Sequence, residues 1–383
     1  MAQIIEKEKD KKYMVRIFTG RDTKGARTFY NKMFTGTKSE ARKFAREKET
    51  ARDKGLPLEP QTMSVNDYLD RWLKHSQKHV RPNTHTWYSD LMQRYVRPTL
   101  GNCRLAQVKP LDIEDLYAKL LGQGLSGRTV RHVHARLCTA FKQAMKWEVL
   151  LKNPASLATA PGIEKREMHF LSPDEAARFI TATRECSHGV LLRFALATGM
   201  RPEEFLGLQW RELDLDNAKR GVARVRRAMI WILDGGGWEF GKLKSKASER
   251  DVYFPLPIAR ELQEHKRRQL EARLKLGRHY QNNDLVFPTK IGTPLHRKHV
   301  TTYWYKPTLK LAELPETIRL YDLRHSYVTL SLLSGVKPKT VSEQAGHSSV
   351  EFTLDHYAHV LKEEREGASD QLENLLFSAV VTP

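Results

Sequence analysis

Four side chains in the C-terminal half of this sequence are of types that together could handle a phosphate ester: Arg201, Arg324, His347 and Tyr357. A guanidinium group binds phosphate oxygens in pairs, and an imidazole moves protons near neutral pH. A phenol is a nucleophile once its proton, with an intrinsic pKa near ~10, is drawn off by cationic neighbours. Three of the four lie within Tyr321 to Val360, where Tyr357 follows His347 by ten residues. Lys337-Pro338 starts a helical pattern there and Gly346 closes it. Ser348 or Ser349 can cap the next helix, placing His347 at a helix junction and Tyr357 two to three turns later. Either residue alone is what an ordinary amphipathic helix pair contains, with Tyr357 in its core. Their order behind two distant arginines sets them apart.

The first of those arginines belongs to Ala197–Trp210 (ATGMRPEEFLGLQW). Arg201 leaves a turn just before Pro202, a residue suited to the first position of a helix. A phosphate there would meet both the guanidinium and the helix N-terminus; alternatively, Arg201 caps the helix and pairs with Glu203 or Glu204. Further on, Gly221 to Leu233 reads as a strand, Asp234 to Gly237 as a turn, and Arg250 to Pro255 as another strand. Lys244 and Lys246 lie between them. A lysine on a flexible turn can reach a polyanion and donate a proton, unless the hairpin tip is merely solvated.

In this order the strings resemble the tyrosine recombinases of the phage-integrase family. The match rests on the Arg201 string, Asp322-Leu323-Arg324-His325, Ala345-Gly346-His347 and Asp355-His356-Tyr357. Lys242 to Pro255 (KLKSKASERDVYFP) is similar to the family's hairpin lysine motif. One position departs, since the family usually carries histidine where this chain has Tyr321. The resemblance implies that Tyr357 attacks a DNA phosphodiester, leaving a 3′-phosphotyrosyl link and a free 5′-hydroxyl. Arg201 and Arg324 would hold the phosphate. His347 would bond a non-bridging oxygen or help move the tyrosine proton, Lys244 or its neighbour Lys246 would protonate the departing oxygen, and Glu204 would orient the site. The Tyr321 hydroxyl can donate a hydrogen bond but cannot stand in for an imidazole, so activity is expected to survive at a reduced rate. His325, adjacent to Arg324, is expected to point elsewhere on its helix.

The covalent link conserves bond energy, so no cofactor, nucleotide or metal is expected. The implied function is site-specific recombination that integrates, and with a partner excises, a prophage or mobile element. The implied assembly is a homotetramer on two double-stranded DNA attachment sites, aided by an excisionase and a host DNA-bending protein. Two alternatives remain: a type IB topoisomerase-like enzyme, and a non-catalytic DNA-binding regulator.

The elements that must position these groups follow from the rest of the chain. At 383 residues there is room for two or three domains. Lys+Arg of 65 against Asp+Glu of 45 leaves a net charge of +20, which suits a polyanionic partner. No apolar run reaches the roughly 18 residues of a membrane span, and the N-terminus lacks a signal-peptide core. A cytoplasmic, nucleoid-associated protein is expected, and the scattered Cys103, Cys138 and Cys186 fit reduced thiols. The expected fold is multidomain and mainly α with small β-sheets. It comprises a small α+β arm-binding module over 1–60, an all-helical core-binding domain over 61–161, and a mixed α/β catalytic domain with its tail over 168–383.

In the first module Tyr13 to Phe18 and Arg27 to Phe34 read as strands, and Thr37-Lys38-Ser39-Glu40 as a capping box opening a basic helix. Arg16, Arg21, Arg27 and Lys32 are its candidate DNA contacts. In the second, helices are expected over Ser64 to Lys74, Thr84 to Tyr95 (broken by Pro98 and Gly101), Asp112 to Leu121 and Thr129 to Trp147. Lys78, Arg81, Thr84, Arg128, Arg131 and Lys142 are the candidates there. Two decoys are set aside. His132, His134 and Cys138 are spaced i, i+2 and i+6, which puts them on no common helix face. Gly236-x4-Gly241-Lys242 resembles a phosphate-binding loop, but Leu243 replaces the hydroxyl residue and the segment leads into a strand.

Overall fold

Strict alternation of Tyr13, Val15 and Ile17 builds the first sheet, since residues two apart share one face of a strand. The computed structural model describes residues 2–8, 11–21, 25–53, 62–163, 169–233, 235–243, 248–347, 349–354 and 357. They fall into two units, residues 1–165 and 166–383. The first unit opens with β1 (Gln3–Glu8), β2 (Lys12–Arg21) and β3 (Arg27–Thr35), antiparallel in the order β1-β2-β3. The three alternating residues are fully buried, with Ala41 and Ala45 of α1 (Lys38–Asp53) over them. The capping box holds: Thr37 N–H donates to Glu40 Oε2 at 2.8 Å, and Glu40 N–H to Thr37 Oγ1 at 3.3 Å. On the opposite face Arg16 lies over Phe29 at 3.9 Å, flanked by exposed Phe18 and Met33.

Five helices follow: α2 (Val65–Ser76), α3 (Pro82–Leu91), α4 (Arg97–Leu100), α5 (Pro110–Gly122) and α6 (Gly127–Lys146), with a short α7 (Pro154–Leu157). Tyr68, Leu69 and Trp72 point inward as their spacing predicts, and Trp72 stacks on Tyr88 at 5.8 Å. Pro98 does not break the second helix. Met92–Val96 forms a π-helical turn in which Arg97 N–H donates five residues back, to Met92 O. Pro98 then enters at the start of a fresh turn, where an N–H is not required. Thr301–Tyr305 does the same ahead of Pro307 in the second unit.

That unit runs α8 (Pro173–Ala182), α9 (Gly189–Thr198), α10 (Pro202–Leu206), β4 (Leu213–Asp214), β5 (Arg220–Val225), β6 (Ala228–Trp231), β7 (Trp238–Gly241) and β8 (Arg250–Pro255). It continues with α11 (Leu256–Leu276), α12 (Arg297–Val300), α13 (Lys306–Leu311), α14 (Asp322–Leu333) and α15 (Pro338–Ala345). The run expected as one strand from Gly221 is two, because the chain leaves the β4-β5-β8 sheet at Arg226 to pair β6 with β7. Arg226 is spent at that corner, donating to Arg250 O and to the Asp251 carboxylate. Helix α9 is apolar nearly all round and sits inside, against α14, α11 and β8. Phe179, Phe194 and Phe205 are essentially fully buried here, each contributing roughly 1.5–3 kcal/mol of transfer free energy.

Candidate active site

Two left-handed glycines draw the distant strings together. Gly199 ends α9 with φ +58°, and its carbonyl accepts from Arg324 Nη1 at 2.9 Å. Gly346 ends α15 with φ +70°, and its carbonyl accepts from Arg201 Nη2 at 2.8 Å. Both helix ends need glycine for the backbone conformation. Space demands it too: a Cβ at 199 would lie 2.2 Å from the Tyr327 ring, and one at 346 would lie 2.9 Å from the Arg250 guanidinium.

Arg201 also sits at the N-cap of α10 and makes the pairing with Glu204 that the sequence left open. Its backbone N–H and its Nη1 donate to Glu204 at 3.0 and 2.7 Å. Glu204, 3 % exposed, receives two more bonds from Arg250, at 3.2 and 2.8 Å. Arg250 is a site residue that sequence reasoning missed. The signal was available, because Arg250, Val252 and Phe254 share the buried face of β8, so the alternation puts a charge on an apolar side. Its Nε donates to Gln344 O, and Gln344 Oε1 accepts from Tyr253 N–H, tying α15 to β8. Burial alone would raise the Glu204 carboxyl, but Arg250's hydrogen bonds and charge, then Arg201, hold it below its usual range.

Arg324 is 2 % exposed, and its Nη2 is buried with no hydrogen-bond partner among the described residues. Burial, then repulsion from Arg201, pushes this guanidinium down to about 10. An unpartnered cationic donor beside two further guanidinium groups that share a single carboxylate is a site for an anion with several oxygens. Tyr357, 1 % exposed, packs with Val328, Leu332, Val341 and Ala345. Burial pushes its phenol well above the ordinary range, and Arg324 pulls in the opposite direction.

The phenol oxygen lies 2.6 Å from Nδ1 of His325, which corrects the expectation that this histidine points elsewhere. Tyr321 and His325 are four apart at the start of α14 and therefore share a face, with rings edge to face at 5.4 Å. That spacing was visible in the sequence; what lay across from it was not. His347 follows the left-handed Gly346, half-buried, with Nδ1 2.7 Å from Thr353 Oγ1. Residues 350–354 are helical, and Ser349 Oγ accepts from Phe352 N–H as a cap. Lys244, Lys246, Asp355 and His356 lie outside the described residues, as does the apolar tail around Leu375 to Val381.

In the first unit Arg21, Arg27 and Lys32 are exposed, but Lys32 pairs with Val15 and so takes the opposite face from Arg16. Arg128, Arg131 and Lys142 are exposed on one side of α6, and Arg131 donates to Pro161 O. Lys78 and Arg81 are exposed before α3, and Thr84 is half-buried. His134 bonds Tyr117 through Nδ1 at 2.9 Å and has Cys138 Sγ at 3.5 Å, while His132 meets Trp87 edge on. No helix among the described residues is long and apolar enough to cross a membrane.

Comparison with known proteins shows the family. Residues 169–364 match the phage integrase family, and residues 64–121 match the phage integrase N-terminal SAM-like domain. A tyrosine recombinase XerC-like protein of Caldanaerobacter subterraneus subsp. tengcongensis is 29 % identical over 381 residues, covering 95 % of this chain and 96 % of the relative. The ICEBs1 integrase of Bacillus subtilis is 26 % identical over 298 residues, covering 77 % and 79 %. Among solved structures, the Tn1549 transposon integrase in complex with a circular intermediate DNA shares the fold with a TM-score of 0.68 at 21 % identity, over 81 % of this chain and 99 % of that one. A lambda integrase tetramer bound to a Holliday junction gives 0.55 at 15 %, over 91 % and 93 %. This chain belongs to the phage integrase family and is a tyrosine-type site-specific DNA recombinase.

Proposed function

We propose that Tyr357 is the nucleophile, and that Arg324 Nη2 receives the scissile phosphate. The observation that carries this reading is the buried Nη2, without a partner among the described residues, whose desolvation an arriving anion would offset. Arg201 and Arg324 hold the non-bridging oxygens, with Glu204 and Arg250 fixing Arg201 from behind. Charge building on those oxygens in the transition state is met by donors already in place. His347 donates to the same phosphate, Lys244 or Lys246 protonates the departing 5′-oxygen, and Tyr321 lends a hydroxyl in place of the family's usual imidazole.

Duplex DNA is held by Lys78, Arg81, Thr84, Arg128, Arg131 and Lys142 of the helical part, chiefly through phosphates. The sheet over 1–60, with Arg16, Arg21, Arg27 and Lys32, binds separate arm sites. Three modules, 1–60, 61–161 and 168–383, thus share the work, and separate hydrophobic clusters around Val15 and around Leu69 support dividing the first unit. The protein integrates a prophage or other mobile element as a homotetramer on two duplexes. Excision needs an excisionase, a host bending protein assists, and the setting is the bacterial nucleoid.

The test is covalent capture. The protein is expressed with its native DNA, the reaction is stopped in detergent, and protein-linked ends are sequenced beside Tyr357→Phe. Adducts at one preferred sequence that vanish in the variant are expected. Scattered adducts would indicate topoisomerase-like cleavage, and tight binding with no adducts would indicate a regulator.

A further inference from the structure

We propose that His325 is the base that takes the proton from Tyr357 as the tyrosine attacks DNA, an inference that rests on Tyr357 being the nucleophile. Nδ1 of His325 is 2.6 Å from the phenol oxygen, already at proton-transfer distance. Among the described residues this is the phenol's one hydrogen bond, and with the side chain 1 % exposed, bulk water has little access to the hydroxyl. The proton therefore needs an acceptor supplied by the protein. His347 meets Thr353 through its Nδ1, and His325 is the imidazole seen against the phenol.

His325 is also well held. It is one residue from Arg324 on α14, so base and phosphate-binding guanidinium are carried by one rigid element. Tyr321, one turn back, meets its ring edge to face and fixes its plane.

With the phenol donating into Nδ1, the neutral ring carries its own proton on Nε2. On attack the O–H bond of Tyr357 breaks, its proton passes to Nδ1, and an oxygen lone pair forms the new bond to phosphorus. The bond from phosphorus to the 5′-oxygen breaks, and that oxygen leaves with the electron pair and takes a proton from the hairpin lysine. On rejoining, the 5′-hydroxyl returns its proton to the lysine, and the imidazolium returns its proton to the leaving phenolate.

The experiment uses the full chain at saturating concentration on a nicked attachment-site DNA, reading formation of the covalent adduct in a single turnover. His325→Asn keeps a hydrogen-bonding atom near the Nδ1 position but accepts no proton, whereas His325→Ala removes both. Both should slow cleavage about 100-fold or more, with DNA binding retained in His325→Asn. A substrate with sulfur in place of the bridging 5′-oxygen, whose thiolate leaves without a proton, should not restore His325→Asn. Cleavage by His325→Asn within about threefold of the parent would make His325 a positioning residue only. Rescue by the sulfur substrate would assign it to the leaving group; either result overturns the proposal. An adduct formed by Tyr357→Phe would instead overturn the nucleophile assignment itself.

Discussion

Replacing Glu204 by glutamine tests the arrangement behind the site, because it preserves shape and removes one charge. The carboxylate accepts four bonds from two arginines, at 2.7 to 3.2 Å, while 3 % exposed. An amide has one acceptor oxygen and turns an NH₂ toward a guanidinium, so at least one arginine loses its partner inside the protein. Breaking a buried pair from one side costs about 3–5 kcal/mol. For a unit the size of residues 166–383 this lowers the thermal midpoint by roughly 6–20 °C.

Acid sharpens the test. Burial would raise the Glu204 carboxyl, but Arg250 and Arg201 outweigh it and hold the folded value below the ordinary 4.5. The group's stabilisation is therefore complete above pH 4.5 and is lost as pH falls through the folded value. Glutamine does not titrate, so the gap between parent and variant is widest near pH 7 and narrows on acidification below 4.5. Calorimetry of the full-length proteins from pH 7 downward reads both effects. A Glu204→Gln midpoint within about 2 °C of the parent at pH 7 would refute the reasoning, as would a gap that widens in acid.

The same geometry sets three further outcomes. Arg324→Met removes a buried cation that is only partly bonded, so the thermal midpoint should hold or rise while adduct formation falls about 100-fold or more; a large loss of stability would make Arg324 structural. Gly199→Ala forces a Cβ into Tyr327 at φ +58°, and should cost roughly 2 kcal/mol or more in urea unfolding. Arg128→Ala with Arg131→Ala should flatten the dependence of log affinity on log salt, by about 0.9 for each DNA phosphate no longer neutralised, and an unchanged slope would remove both residues from the DNA interface.

Much of this architecture could be read from short-range chemistry. The Thr37–Glu40 capping box, the glycine stop at 346, and the alternation of Tyr13, Val15 and Ile17 each depend on atoms within a few residues, and the structure reproduces them. Pro98 was misjudged because a π-turn five residues long absorbs it, a local remedy that composition does not announce. The order of Arg201, Arg324, His347 and Tyr357 was likewise written along the chain.

What only the tertiary structure decided is which groups face one another across long separations. Arg250 and Glu204 are 46 residues apart, Arg324 and Gly199 are 125 apart, and His325 meets Tyr357 across 32. A helix period tells which face His325 shares with Tyr321. It cannot tell what packs against that face, because that depends on how α14, α15 and the segment carrying Tyr357 pack together. The residues proposed to bind phosphate were therefore legible as a list. The charge balance that leaves Arg324 Nη2 without a partner among the described residues, and the imidazole set against Tyr357, exist only once the apolar faces of these elements have packed.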